Sequence, residues 1–134
     1  MSVVADARRA LNARACFALV DLAYALRDGR IGPEMLPAAV GESPGLSVEQ
    51  VQAGHDCIMV LPIERRSLDA EVRACVAPLA ILARSLRGND PDAVVVADRN
   101  GRTLLSARHL EYARRASEPM TETQAKALLR ERNV

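Results

Sequence analysis

The stretch "DARRALNARACFALVDLAYALRDGR", residues 6–30, constrains the fold more than any other part of the chain. Leu11, Ala15, Ala18, Leu19, Leu22 and Leu26 recur every three to four positions while Arg and Asp take the other faces, which is the period of an amphipathic helix. Gly29 is its stop signal. Apolar groups lie on more than one side of this helix (Phe17, Leu19, Val20, Leu22, Tyr24, Leu26), more than one small core is expected to cover. A self-association face over residues 11–26, and hence a homodimer, is the corresponding expectation.

Downstream, "IGPEMLPAAVGESPGLS" holds Pro33, Pro37, Pro44, Gly32, Gly41 and Gly45 and reads as an irregular connector with room for one helical turn. Ser47 then caps a short helix, "VEQVQAGHD". The apolar run of "CIMVLPIERR" predicts a buried strand over Cys57–Leu61 that ends near Pro62. A second long helix, "SLDAEVRACVAPLAILARSLRG", starts with Ser67 as cap and Asp69 and Glu71 in its first turns, and stops at Gly88. Pro78 removes one backbone donor, so a kink or break is expected between Val76 and Pro78.

"DAVVVA" reads as a β-branched strand, with Ala93–Ala97 central, paired with Cys57–Leu61 and covered on both faces. "DRNG" is a turn centred on Asn100-Gly101, and "RTLLS" is the returning strand. "ARHLEYARRAS" is a helix ended by Pro119. "TETQAKALLRER" is a last helix, with Thr121 as cap and Gln124 three residues on. The fold class is therefore α+β, with a helical N-terminal half followed by a small β-α-β-β-α core. Residues 1–134 form one domain, with parts at 1–56, 57–117 and 118–134, and a mostly helical fold is the alternative.

A chain of 134 residues that is 49% hydrophobic but only 2% aromatic must build its core from Ala, Leu, Val and Ile. Close helix packing follows, and stacking platforms for single-stranded nucleic acid or sugars are disfavoured. Residues 1–56 carry five Arg against seven acidic groups, a balance of −2. Residues 57–134 carry thirteen basic against ten acidic, a balance of +3. That asymmetry is too small to be a nucleic-acid footprint by itself. Cys16, Cys57 and Cys75 have no metal-type spacing and read as small buried groups in a reducing compartment, which fits the cytoplasm. No stretch approaches the roughly 18 apolar residues of a membrane span.

The series "IMVLPIERR…LAILARSLR…DAVVVADRNGRTLLSARHLEYARRA" resembles, over residues 57–117, the N-terminal domain of the ParB family, whose fold is shared with sulfiredoxin and some plasmid-encoded regulators. The resemblance rests on the leading "LPIE", an L-A-x-S-L helix before an apolar strand, an Asp-x-x-Gly-Arg turn, and a closing strand that runs into an Arg-His-x-Leu-Glu helix. It implies plasmid partition or transcription regulation. In the family the closing motif places a Gly, an acidic or His residue and two basic residues near a nucleotide phosphate. Here the segment is Ser106-Ala107-Arg108-His109: the Gly and the carboxylate are missing and one basic position is deleted. Arg108 and His109 carry over as phosphate-side candidates, and no catalytic residue does. Residues 11–65, with "LN" opening a Leu/Ala helix and "LSVEQVQ" leading into "CIMVLPIER", also resemble the FlhD subunit of the flagellar master regulator, a helical and dimeric family that acts on DNA through a partner.

Read from the residues alone, a helix starting near Ser106 directs free N–H groups outward, and Arg108 and His109 in its first turn would reinforce an anion site. Arg99 and Arg102 flank the neighbouring turn and complete the candidate set. The plainer reading is a solvated face in which these arginines pair with Asp98, Glu111 and Glu118. Arg114 and Arg115 belong to that plainer reading, as do His55, Asp56 and Cys57, adjacent residues without distant partners. Glu64 and Asp69 carry no mark of a perturbed acid, and Asp69 is better explained as a helix cap. The expected function is a non-catalytic DNA-associated regulatory or plasmid-maintenance accessory protein, with no metal and no required cofactor. Its alternatives are an FlhD-like regulator subunit acting through a partner, a nucleotide-using enzyme of the ParB/sulfiredoxin fold, and a structural dimerisation or adaptor module.

Overall fold

A computed structural model describes residues 2–39, 44–59, 68–85 and 90–131. Its elements, in order, are α1 (Val3–Arg27), a 3-10 turn (Pro33–Met35), α2 (Val48–Met59), α3 (Leu68–Ser85), β1 (Val94–Ala97), β2 (Thr103–Ser106), α4 (Ala107–Ala116) and α5 (Glu122–Arg130). The class is α+β, and the N-terminal half is helical.

Helix α1 starts at Ser2, whose hydroxyl accepts from the amides of Val4 and Ala5 at 3.2 and 3.4 Å. It ends in a Schellman turn, with Gly29 at φ 72°, the Gly29 amide donating to Leu26 O at 3.3 Å and the Arg30 amide to Ala25 O at 2.9 Å. Between those ends α1 touches α2, α3, α4, α5 and β2. That explains its many-sided apolar pattern. Leu19, Val20 and Leu22 are buried inside the chain, Tyr24 and Leu26 are partly covered, and Phe17 is 52% exposed. The apolar sides from which a self-association face was expected are thus mostly consumed by intramolecular packing.

Two apolar clusters share α1. The larger one gathers Cys16, Leu19, Leu22, Val51, Val76, Leu79, Leu82, Val96 and Leu105, and the smaller joins Ala7 and Leu11 to Ala116, Ala125 and Leu128. Tyr112 packs against both.

Helix α2 opens with a capping box: the Ser47 amide donates to Gln50 Oε1 at 2.8 Å and the Gln50 amide to Ser47 Oγ at 3.2 Å. It does not stop at Asp56. Cys57, Ile58 and Met59 continue the helix, so the strand expected over Cys57–Leu61 is wrong for these three residues; the remainder of it, with "LPIE", lies outside the described residues. Val51, Gly54 and Cys57 are buried at three-residue spacing, so the helical period of "VEQVQAG" simply runs on through the short apolar run. A run that short carries no period of its own to oppose it.

Helix α3 is continuous through Pro78, against the expected break. Ala74, whose carbonyl loses its partner there, is exposed, so water can serve that carbonyl. Ser67 and Gly88, its expected cap and stop, lie outside the described residues.

The partner of β1 is β2, antiparallel, with Val94 opposite Ser106, Val96 opposite Leu105 and Ala97 opposite Thr103. Two-sided coverage of β1 was also expected. Val96 is buried, but Val94 is 57% exposed and Val95 and Ala97 are only partly covered, so β1 is not enclosed on both faces.

Shape complementarity between α1 and α2 depends on Gly54. A Cβ there would stand 2.5 Å from Leu19 Cδ1 and 2.7 Å from Leu19 Cβ, and the second of these atoms cannot swing away. Replacing Gly by Ala inside a helix gains about 1 kcal/mol of propensity, whereas overpacking costs about 1–3 kcal/mol. Because Leu19 is wholly buried, the steric cost should win. Gly54→Ala should lower the urea midpoint, with a net loss of about 1 kcal/mol or more; an unchanged or raised midpoint would show that the two helices can part freely.

Candidate functional site

Arg99, Arg102, Arg108 and His109 are divided by the structure between the two ends of the hairpin. A strand of four residues separates tip from base by about 13 Å. Arg99 and Arg102 flank the tip, while Arg108 and His109 stand at the base, in the first turn of α4.

The tip is organised by Asp98. Its side chain is 3% exposed, and its Oδ1 accepts from the amides of Asn100 and Arg102, both at 2.9 Å. The Gly101 amide donates to Asp98 O at 3.0 Å and the Asp98 amide to Arg102 O at 2.9 Å. Among the described residues only glycines have positive φ, and Gly101 at 85° is the one in this turn. The turn is therefore the bulged kind closed by a left-handed Gly, not the two-residue Asn-Gly turn with both centres left-handed.

The tip lies on the C-terminal end of α1. The Arg99 amide donates to Arg30 O at 3.1 Å, and its guanidinium donates to Gly29 O at 2.8 Å and stands 3.8 Å from Glu34. Arg30 lies between Asp28, at 3.6 Å, and Asp98, at 3.8 Å. Arg27 reaches Asp28 at 3.6 Å and covers the Tyr24 ring at 4.6 Å. Three arginines thus converge on three carboxylates at the negative end of a helix dipole. Arg102 is exposed and in no ion pair among the described residues.

At the base, the donors expected to face solvent are already taken. The amide of Ala107 donates to Ala93 O and that of Arg108 to Pro91 O, each at 2.9 Å. The segment before β1 folds back across the start of α4, which corrects the expectation of free N–H groups there. Arg108 pairs with Asp92 at 3.0 Å, rather than with Asp98, Glu111 or Glu118. His109 Nδ1 accepts from the Ser106 amide at 3.0 Å, so the imidazole completes a helix cap and is neutral in that role.

Other candidates are resolved in the same way. Arg114 bridges Glu111 and Glu118, reaching Glu118 at 2.7 Å, and the Arg114 guanidinium holds the Glu111 carboxyl below its ordinary value. His55 and Asp56 lie within α2 at 3.0 Å, joined by Gln52, and hydrogen bonds from His55 and Gln52 lower the Asp56 carboxyl. Among the described residues no His, Cys, Asp or Glu group is arranged to hold a metal ion. None of the described helices is long and apolar enough to cross a membrane. Between the end of α4 and α5 lies an open cleft of about 200 Å³ whose lining includes Arg115, Met120 and Leu128. Glu64 and the Asp69 side chain lie outside the description.

Sequence reasoning missed Asp98 as the organiser of the tip, although an Asp two residues before an amide that needs an acceptor is a signature of this turn. It had no signal for the Gly29–Arg30 receptor of Arg99, 70 positions away. Comparison of the chain with protein-family models, with curated proteins and with solved structures finds no match.

Burial pushes the His109 imidazole below its ordinary value of 6.5, with Arg108 acting in the same direction and Asp21 against it. The unfolded chain therefore takes up this proton first as pH falls. The stability His109 contributes is complete above about pH 6.5 and is lost as pH drops below it toward the folded-state value. Gln at the same position keeps a side-chain acceptor for Ser106 but has no proton to gain. His109→Gln should flatten the decline in melting temperature between about pH 7 and pH 5; parallel curves for the two proteins would remove His109 from that decline.

Proposed function

We propose that the chain is a non-catalytic, cytoplasmic, DNA-associated regulatory protein, of the kind that serves plasmid partition or transcription, and that it meets phosphate at the hairpin tip. One observation carries this reading: Arg27, Arg30 and Arg99 gather at the junction of the tip with α1, and Arg102, in the same turn as Arg99, is exposed and in no ion pair among the described residues. The exposed pairs around it are each worth about 0–1 kcal/mol, so a phosphate can replace a carboxylate at little cost. Of the features behind the ParB-like reading of residues 57–117, the Asp-x-x-Gly-Arg turn between two strands and the helix after the second are present, while the expected leading strand is helical at Cys57–Met59. A homodimer belongs to the same reading, with Phe17 as the exposed apolar side chain on α1.

Fluorescence anisotropy with a labelled duplex at two salt concentrations tests the tip. Wild type should bind in a salt-dependent way. Arg102→Ala should weaken binding several-fold and reduce the slope of log K against log salt by about 1. Arg108→Ala, whose partner is Asp92, should leave binding unchanged. No retention of wild type at low salt, or an unaltered slope for Arg102→Ala, would overturn the proposal, and heat released on titrating a nucleotide would favour the nucleotide-using alternative.

For assembly, light scattering should return twice the 14.5 kDa chain mass, and Phe17→Glu should return the chain mass itself. A 14.5 kDa wild-type particle at micromolar concentration would sink the dimer while leaving the DNA reading to its own test.

A further inference from the structure

Cys16, Cys57 and Cys75 are far apart in sequence, yet α1, α2 and α3 bring them to one place. The Cys16 thiol donates to Gly54 O at 3.4 Å, and the Cys75 thiol approaches the adjacent carbonyl, Ala53 O, at 3.7 Å. Cys57 is one turn beyond Ala53 on α2, and a helical side chain leans back toward the carbonyl four residues before it. Its side chain is accordingly directed to the stretch of α2, beside Ala53, that the Cys75 thiol reaches. The three sulfurs differ in environment. Cys16 is fully buried and held by Gly54, Cys57 is 5% exposed, and Cys75 is partly exposed.

We propose that Cys57 and Cys75 are a reversible dithiol–disulfide pair, oxidised by hydrogen peroxide, that ties α2 to α3. Cys75 is the attacking sulfur, because it is the more accessible of the two. The Cys75 thiolate attacks the O–O bond, one oxygen goes to sulfur as sulfenic acid, and the other leaves as hydroxide and becomes water. Cys57 then attacks the sulfenic sulfur, the S–S bond forms, the S–O bond breaks, and a second water leaves. Two thiols lose two electrons and two protons, and the peroxide is reduced to two waters. Burial pushes the Cys57 thiol up to about 11 and raises Cys75 as well, so the reaction is slow at neutral pH and accelerates toward alkaline pH. Cys16, pushed up to about 12 by burial, stays a thiol throughout.

The test uses the full-length protein with hydrogen peroxide, followed by alkylation in denaturant, digestion and mass spectrometry. The expected product has lost two hydrogens and is monomeric, with the tryptic peptide that holds Cys57 joined to residues 74–84, which hold Cys75. Cys16 alone is alkylated. Dithiothreitol should restore three alkylatable thiols, and the oxidised form should melt several degrees higher because the bond closes residues 57–75 into a loop. Cys16→Ser should form the same bond, while Cys57→Ser should stop at a Cys75 sulfenic acid that dimedone traps. A bond through Cys16, an intermolecular bond, conversion of Cys75 to sulfinic acid with Cys57 still free, or no oxidation in wild type would each overturn the proposal. The wild-type experiment stands alone if a variant fails to fold.

Discussion

Helix α1 must be covered from several sides, and the rest of the fold is the means of covering it. Its buried residues are not confined to the stripe of Ala7, Leu11, Ala15, Leu22 and Ala25, because Cys16, Val20 and Ala23 on the flank of that stripe are buried as well. A helix apolar on so many sides is stable only when other elements surround it. The chain has almost no aromatic volume with which to fill gaps. Its neighbours therefore approach through small side chains, and at Gly54 through none at all. The same closeness puts the Cys16 and Cys75 sulfurs beside the Gly54 and Ala53 carbonyls, one turn from Cys57. Dense packing and redox chemistry come from one constraint.

The hairpin answers a different need at the end of α1. A helix terminus leaves carbonyls without partners, and the Schellman turn satisfies some of them locally. The Gly29 and Arg30 carbonyls, just past that turn, receive their donors from Arg99, through its guanidinium and its amide. At the other end of the hairpin, Pro91 and Ala93 supply acceptors to the first amides of α4. One short supersecondary unit thus closes the end of one helix and the beginning of another. This is why a pattern that looks like an anion site in sequence is largely internal wiring at its base and open chemistry only at its tip.

What the sequence made legible follows the range of each interaction. The α1 helix with Gly29 as its stop, the capping boxes at Ser47 and Thr121, the connector with its single turn at Pro33–Met35, and the hairpin running into α4 all depend on residues within a few positions of one another. Each was readable from propensity and spacing. The continuation of α2 through Cys57–Met59 was not, because five apolar residues fit a strand and a helix equally well and only packing against α1 and α3 decides. Of the candidate site, the residue types and the turn were legible. The division of the four residues between tip and base was not, since it depends on the backbone of residues 91–93 and 29–30, whose positions no local pattern reveals.

The four arginines at the tip are not equivalent toward an anion. Arg102 gives up no described ion pair, and Arg27 gives up an exposed one whose worth is at most about 1 kcal/mol. Arg30 faces Asp98, a buried carboxylate that would lose a compensating charge if Arg30 turned away. Arg99 holds the Gly29 carbonyl, so recruiting its guanidinium would leave an acceptor beside the end of α1 unserved. A ligand at the tip is therefore met first by Arg102 and Arg27, on the outer side, at little structural cost. Only a ligand bound strongly enough to draw in Arg99 or Arg30 also disturbs the junction between hairpin and helix, and through it the end of the element around which the chain is packed.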